Sequence, residues 1–275
     1  MRAWLSCACL VSLLAGCDAV GPPLQVEAVF DFRLGRQGWQ ADFADYSVLN
    51  EDLQLMADIE ALPDELDVRG TGFYIQGMNR SDDLFMYLKH ELGPLDGVRP
   101  GQTYQVRYRI VVASNAPTGC AGVGGAPGES VYLKAGASTD EPDDVRDGDG
   151  VNLNVDKGNQ AEGGADAFVV GDIANGEDCG EYENLDDVPY VSLDFRPEQE
   201  QTVTADEQGR LWLFVGTDSG FEGLTGLYYQ RIEAVLSPES DSPNGNGNAN
   251  GNANSNANGN ANGNANMNSA NGNAS

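Results

Sequence analysis

The sequence predicts an all-β protein, an antiparallel β-sandwich followed by a disordered C-terminal tail. Three observations lead there. Apolar and polar residues alternate with a period of two in about eleven short segments. Clusters of Gly, Pro, Asn and Asp separate those segments, as turns require. The one stretch with a helical look, "LPDELD" at residues 62–67, is too short to stand alone. The chain therefore lacks the long helical crossovers that a parallel, doubly wound sheet needs.

The first element is an address. An apolar run from Leu5 to Ala15 follows Arg2 and ends on small residues. It falls short of the ~20 residues that span a bilayer, so it reads as a secretory signal. Leu14-Ala15-Gly16-Cys17 resembles the lipobox of bacterial lipoproteins. The resemblance implies cleavage before Cys17, a diacylglycerol on its thiol and an acylated amine, with more than one chain giving stable attachment. The expected organisation is a signal peptide over 1–16, a lipidated tether over 17–23, a β-sandwich domain over 24–237 and a tail over 238–275. The expected location is the cell envelope, on the extracytoplasmic side of a bacterial membrane.

Cysteine usage agrees with export. Cys7 and Cys9 leave with the signal and Cys17 carries the lipid, so only Cys120 and Cys179 remain. One spare pair in an exported chain predicts a disulfide, with two buried free thiols as the alternative.

The net charge of −28 argues against nucleic acid and anionic headgroups as partners, because both would be repelled. Half of that charge falls between Thr139 and Asp187, where sixteen Asp or Glu stand against Arg146 and Lys157.

The strand segments follow in order: "AVFDF", "DLQLMA", "GFYIQG", "LFMYLKH", "TYQVRYRIVV", "SVYLKAG", "VNLNVD", "AFVVGD", "YVSLDF", "RLWLFVG" and "LYYQRIEAVL". Clean alternation places one wet face on most of them, the mark of antiparallel sheets. In "RLWLFVG" both faces are apolar, which predicts a central strand between layers. From Asn244 the chain alternates Asn with Gly, Ala or Ser to near its end. Such a segment cannot offset its ordering entropy by burial and is expected to be disordered.

The opening strand with Phe30 and Phe32, then Gly38-Trp39, and a closing strand with Tyr228 and Ile232 on one face resemble the ends of jelly-roll, galactose-binding-like and carbohydrate-binding modules. The resemblance implies a jelly-roll sandwich and a carbohydrate partner.

Several constellations are candidates for chemistry. Asp143, Asp144, Asp147 and Asp149 in "DEPDDVRDGDG" offer hard oxygen ligands on a Gly-rich loop, which suits a structural Ca²⁺. The helix-loop-helix calcium pattern fails, because Val151 and Asn152 stand where a ligand and a glycine belong. Asp218 and Glu222 in "TDSGFEG" are a further pair for a metal or for capping a turn. Asn79, Arg80, Asp82 and Asp83 set an arginine beside carboxylates and an amide, which suits sugar hydroxyls and equally a structural ion-pair corner. Trp39 and Tyr46 are aromatic candidates for stacking on a pyranose; Tyr74, Trp212 and Tyr229 join them if they face outward. The Gly-rich "GCAGVGGAPGES" lacks the Lys of a phosphate loop, so its glycines are expected to serve a long turn. His90 is the one histidine, which leaves no supply for a histidine-based zinc site and argues against a Ser-His-Asp triad.

The expected function is non-catalytic binding of a carbohydrate or another envelope component. The alternatives are a polysaccharide hydrolase or lyase with a carboxylate pair, and a surface protein whose Asn-rich tail makes the contacts.

Overall fold

A computed structural model describes residues 24–80 and 83–239. Cys17 with the signal and tether, Asp82, and the Asn-rich tail lie outside the described residues. Along the chain run β1 (Val26–Asp31), β2 (Gln40–Ala44), β3 (Tyr46–Ser47), β4 (Met56–Ala61), β5 (Thr71–Met78), β6 (Leu84–Leu92), β7 (Thr103–Ser114), β8 (Ala116–Thr118), β9 (Val131–Ser138), β10 (Asp144–Asp147), β11 (Gly150–Leu153), β12 (Ala167–Asp172), β13 (Ala174–Asp178), β14 (Val191–Phe195), β15 (Gln201–Thr204), β16 (Leu211–Ser219) and β17 (Leu224–Pro238).

Two antiparallel sheets form the sandwich. The first has β17, fifteen residues long, as its spine. One edge of β17 is taken in tandem by β5 and β1, and the other by β7. Beyond them β4 adds to β5, while β14 and β15 share the far edge of β7. The second sheet runs β12-β9-β16-β6-β2. Phe73, Ile75, Val112, Tyr229 and Ile232 from the first sheet interleave with Leu84, Met86, Leu88, Leu213 and Val215 from the second in one buried core. β16 sits at the centre of its sheet, as its two apolar faces predict.

The second face of β16 and β6 has its own cover. Phe85, Tyr87 and Phe214 point away from the main core and pack under Leu153 and Val155. The acidic stretch after Thr139 is thus a third layer as well as a charged surface. Its β10–β11 hairpin pairs Asp147 with Gly150, and Gly148, at φ +62°, takes the position of a two-residue turn where glycine carries no steric cost.

Two expectations from the sequence are corrected here. The strand expected at 52–57 begins only at Met56, because Asp52 and Gln54 take positive φ of 57° and 49° and break the extended run. Tyr228 and Ile232, expected on one face, lie on opposite faces. A β-bulge between Tyr229 and Arg231 inserts one residue, so Tyr229 and Ile232 both enter the core.

Candidate functional site

The bulge also leaves Tyr228 on the outer face of the first sheet while Tyr229 enters the core. On the outer face of the first sheet, Tyr228 stands directly across from Tyr74 in the β17–β5 register, with ring centroids 4.6 Å apart. Tyr190, just before β14, meets Tyr228 edge-on at 5.2 Å. Gly226 makes room: a Cβ there would lie 2.5 Å from the Tyr74 hydroxyl. That hydroxyl donates to Gln76 Oε1 at 2.8 Å. Beside these rings opens a groove of about 260 Å³ whose walls include Tyr74, Tyr190, Phe221, Asn115, Asp186 and Thr225.

The walls are fixed from behind. Ser114 Oγ donates to the Ile173 carbonyl at 2.7 Å, and Asn175 Nδ2 bridges the carbonyls of Ser114 and Pro189 at 3.3 and 3.1 Å. β8, which carries Ala116 and Pro117 of the wall, pairs in parallel with β13. Cys120 and Cys179 close a disulfide just beyond that pair, with Cα atoms 5.3 Å apart, as cysteine usage predicts. The glycine-rich loop packs here too: a Cβ at Gly122 would meet the Phe221 ring at 2.6 Å.

A second polar site lies on the outer face of the other sheet. Asp218 is fully buried. Its Oδ2 accepts from Lys134 Nζ at 2.9 Å, Lys157 Nζ at 2.8 Å and the Gln160 amide at 2.8 Å. Lys134 Nζ also donates to the carbonyls of Lys157 and Glu162 at 2.9 and 3.0 Å. The cluster therefore staples the 157–162 loop onto the sheet. Lys157 pairs further with Asp45 at 3.0 Å and approaches Asp83 at 3.8 Å. A pocket of about 310 Å³ opens above, lined by Asp45, Asp83, Asp156 and Lys157 among others. Asp83 Oδ1 and Asp218 Oδ1 are both buried, and neither meets a donor among the described residues. Burial raises the Asp83 carboxyl to about 6; the Lys157 ammonium opposes that, and the neighbouring Asp218 and Asp45 add to it. Burial works against the Lys157 charge, yet Asp218 and Asp45 hold its ammonium above the ordinary value, whereas burial leaves Lys134 below it.

The predicted site residues scatter. Trp39 is corrected: it is 1% exposed, stacked on His90 at 5.4 Å and edge-on to Phe30 at 5.3 Å, so it offers no platform. Tyr229 is likewise in the core. Asn79 is also corrected, being buried with Nδ2 donating to the carbonyls of Ser219 and Phe221 at 2.8 and 3.0 Å. It ties the β16–β17 turn. Arg80 reaches Asp52 at the surface, 3.8 Å away, and Asp83 turns to the lysine cluster. Tyr46 packs half-buried near Asp42 and Asp144, and burial and those carboxylates raise its phenol.

The metal sets also divide. Asp143 and Asp144 gather with Asp42, ligand atoms within 4.8 Å of one another, while Asp147 and Asp149 sit exposed at the hairpin tip. Lys89 Nζ lies 3.2 Å from Asp143, 3.7 Å from Asp42 and 2.9 Å from Glu141. The Lys89 ammonium supplies counter-charge to Asp42 and Asp143 of this group. Asp218 is held by lysines in the interior and Glu222 is exposed on the following turn, so the two form no ligand set.

Sequence reasoning named Tyr74 but missed Tyr190, Tyr228, Phe221, Asn115 and Asp186. Pro189-Tyr190 opening an alternating strand was the available signal for Tyr190. The pairing of Tyr228 with Tyr74 needed the bulge and the register.

No family model matches this chain, and no curated protein does. Solved structures with a partial likeness include TmCBM27, described for mannan recognition (10% identity, 78% of this chain and 99% of that chain, TM-score 0.35). TmCBM61 in complex with β-1,4-galactotriose is another (10% identity, 76% and 94%, TM-score 0.32). A third is the enzymatically active domain of bacteriophage CBA120 tailspike protein 4, of whose chain this protein spans 20%, with 74% of its own length covered (9% identity, TM-score 0.31).

Proposed function

We propose that this chain is a non-catalytic carbohydrate-binding module, held on the outer side of a bacterial membrane by the lipid on Cys17. The groove between Tyr74, Tyr190 and Phe221 carries the reading. It joins aromatic surface to a few polar groups, Asn115, Asp186 and Thr225, the combination that small-ligand sites use. Sugar rings present apolar C–H faces to aromatic rings and hydroxyls to amides and carboxylates. Glycoside hydrolysis takes two carboxyl groups in most families, and among the described residues that line the groove Asp186 is the one carboxylate. The anchor is supported by the lipobox Leu14-Ala15-Gly16-Cys17.

A second reading, a hydrolase or lyase acting on polysaccharide, is favoured by the pocket over Lys157. Three carboxylates line it, and Asp83 is held at about 6, a value suited to general acid work.

A glycan array probed with the mature protein tests both readings. Binding of intact oligosaccharide, weakened about tenfold or more by Tyr190→Ala, is the expected result. A silent array, or release of reducing ends that Asp83→Asn abolishes, overturns it. Cys17→Ser is expected to move the protein from the membrane to the soluble fraction.

A further inference from the structure

The outer face of the first sheet is electrically divided. Toward β1 and β15 it is laced with arginines: Arg33 and Arg231 pair with Asp31, Arg109 bridges Asp194 and Glu233, and Arg107 pairs with Glu200. Toward the groove these paired arginines give out. No Lys or Arg stands among the described residues that line it. Asp186 is in its wall, and Glu60 and Glu65 face the tyrosines: burial raises Tyr228, and both glutamates add to it. Glu65 Oε1 also accepts from the Tyr190 amide at 3.2 Å. Leu62 and Leu66, packed on Ala113 beside Tyr190 and Tyr228, lie between the two ends.

This distribution discriminates among sugars. A uronate or sulfate entering the groove would meet the Asp186 carboxylate with no cation among the described lining residues to pair with, at a Coulombic cost. A neutral sugar would use the rings but not the charge. A protonated amine gains from both, because ring faces and carboxylates attract a cation together. We infer that the groove takes a cationic saccharide, an amino sugar with a free protonated amine, its ring face against Tyr74 and Tyr190 and its ammonium toward Asp186. The inference rests on the carbohydrate reading above and narrows it to one charge class.

Titration calorimetry of the mature protein tests it with four hexamers: β-1,4-linked glucosamine, its N-acetylated counterpart, cellohexaose and oligogalacturonate. The buffer is held at about pH 6, below the ordinary pKa of an amine. The glucosamine hexamer is expected to bind about tenfold tighter than the acetylated one, with the advantage shrinking as salt rises. Asp186→Asn is expected to erase that advantage, bringing the glucosamine hexamer to the affinity of the acetylated one. Tyr190→Ala is expected to weaken both. Equal affinity for the free-amine and acetylated hexamers overturns the inference and leaves the carbohydrate reading standing. Tight binding of oligogalacturonate does the same. Glucosamine binding that survives Tyr190→Ala unchanged also overturns it, since capture elsewhere on an acidic surface would explain it. If no hexamer binds, both readings fall.

Discussion

Asp83 and Asp218 place two carboxylate oxygens in a buried setting with no donor among the described residues. A proton on Asp83 satisfies both and leaves Lys134 and Lys157 balanced by Asp218 and Asp45. The folded protein therefore holds this proton more tightly than the unfolded chain does. The stability so contributed is full below about pH 4 and is lost as pH rises through about 6. Asparagine donates to Asp218 without titrating. Asp83→Asn is expected to match the parent in urea midpoint near pH 4 and to exceed it above pH 6; a difference that ignores pH would rule out the shared proton. Glycine is dictated as tightly at residue 136. A Cβ there would lie 2.3 Å from Phe214 Cζ and 2.4 Å from the Asp166 carbonyl, so Gly136→Ala is expected to cost about 1–3 kcal/mol by overpacking, read as a lower denaturant midpoint. Trp39 gives the opposite lesson about legibility. In sequence it was a candidate for stacking on a sugar, but Phe30 and Phe32 from the opening segment and His90 from β6 enclose it.

At the scale of elements, the disulfide and the bulge shape the groove. Cys120–Cys179 closes a sequence separation of 59 residues, for which the loop-entropy model gives on the order of 4 kcal/mol. It lies just past β8 and β13, behind the wall made by Ala116 and Pro117. The Cys120→Ser, Cys179→Ser double variant is expected to melt at lower temperature and to bind oligosaccharide more weakly than the parent even where it is fully folded. Unchanged affinity would mean that the wall holds its shape by the Ser114 and Asn175 hydrogen bonds alone. The bulge in β17 was not legible, because an inserted residue keeps the amino-acid pattern while changing which face each side chain takes. Alternation did identify β5, β6, β7, β9, β12, β14, β16 and β17, where several consecutive pairs reinforce one period. It missed β2, β3, β8, β10, β13 and β15, whose two to five residues carry too few alternations to register.

For the whole molecule, the acidic half-charge changes meaning once the layers are assembled. Residues 140–150 read in sequence as an acidic, metal-binding loop ahead of a strand at 151–156. In the fold the 139–166 segment lays Leu153 and Val155 over Phe85, Tyr87 and Phe214 and is stapled down by Lys89, Lys134 and Lys157. Alternation, turn residues and the cysteine count are local properties of the chain, and they were enough to specify an all-β sandwich with one disulfide. Tertiary structure alone decided where the groove lies, which tyrosines line it and which aspartates face lysines. Those depend on strand register and on contacts between residues from tens to more than a hundred positions apart, and no short window of sequence contains both partners.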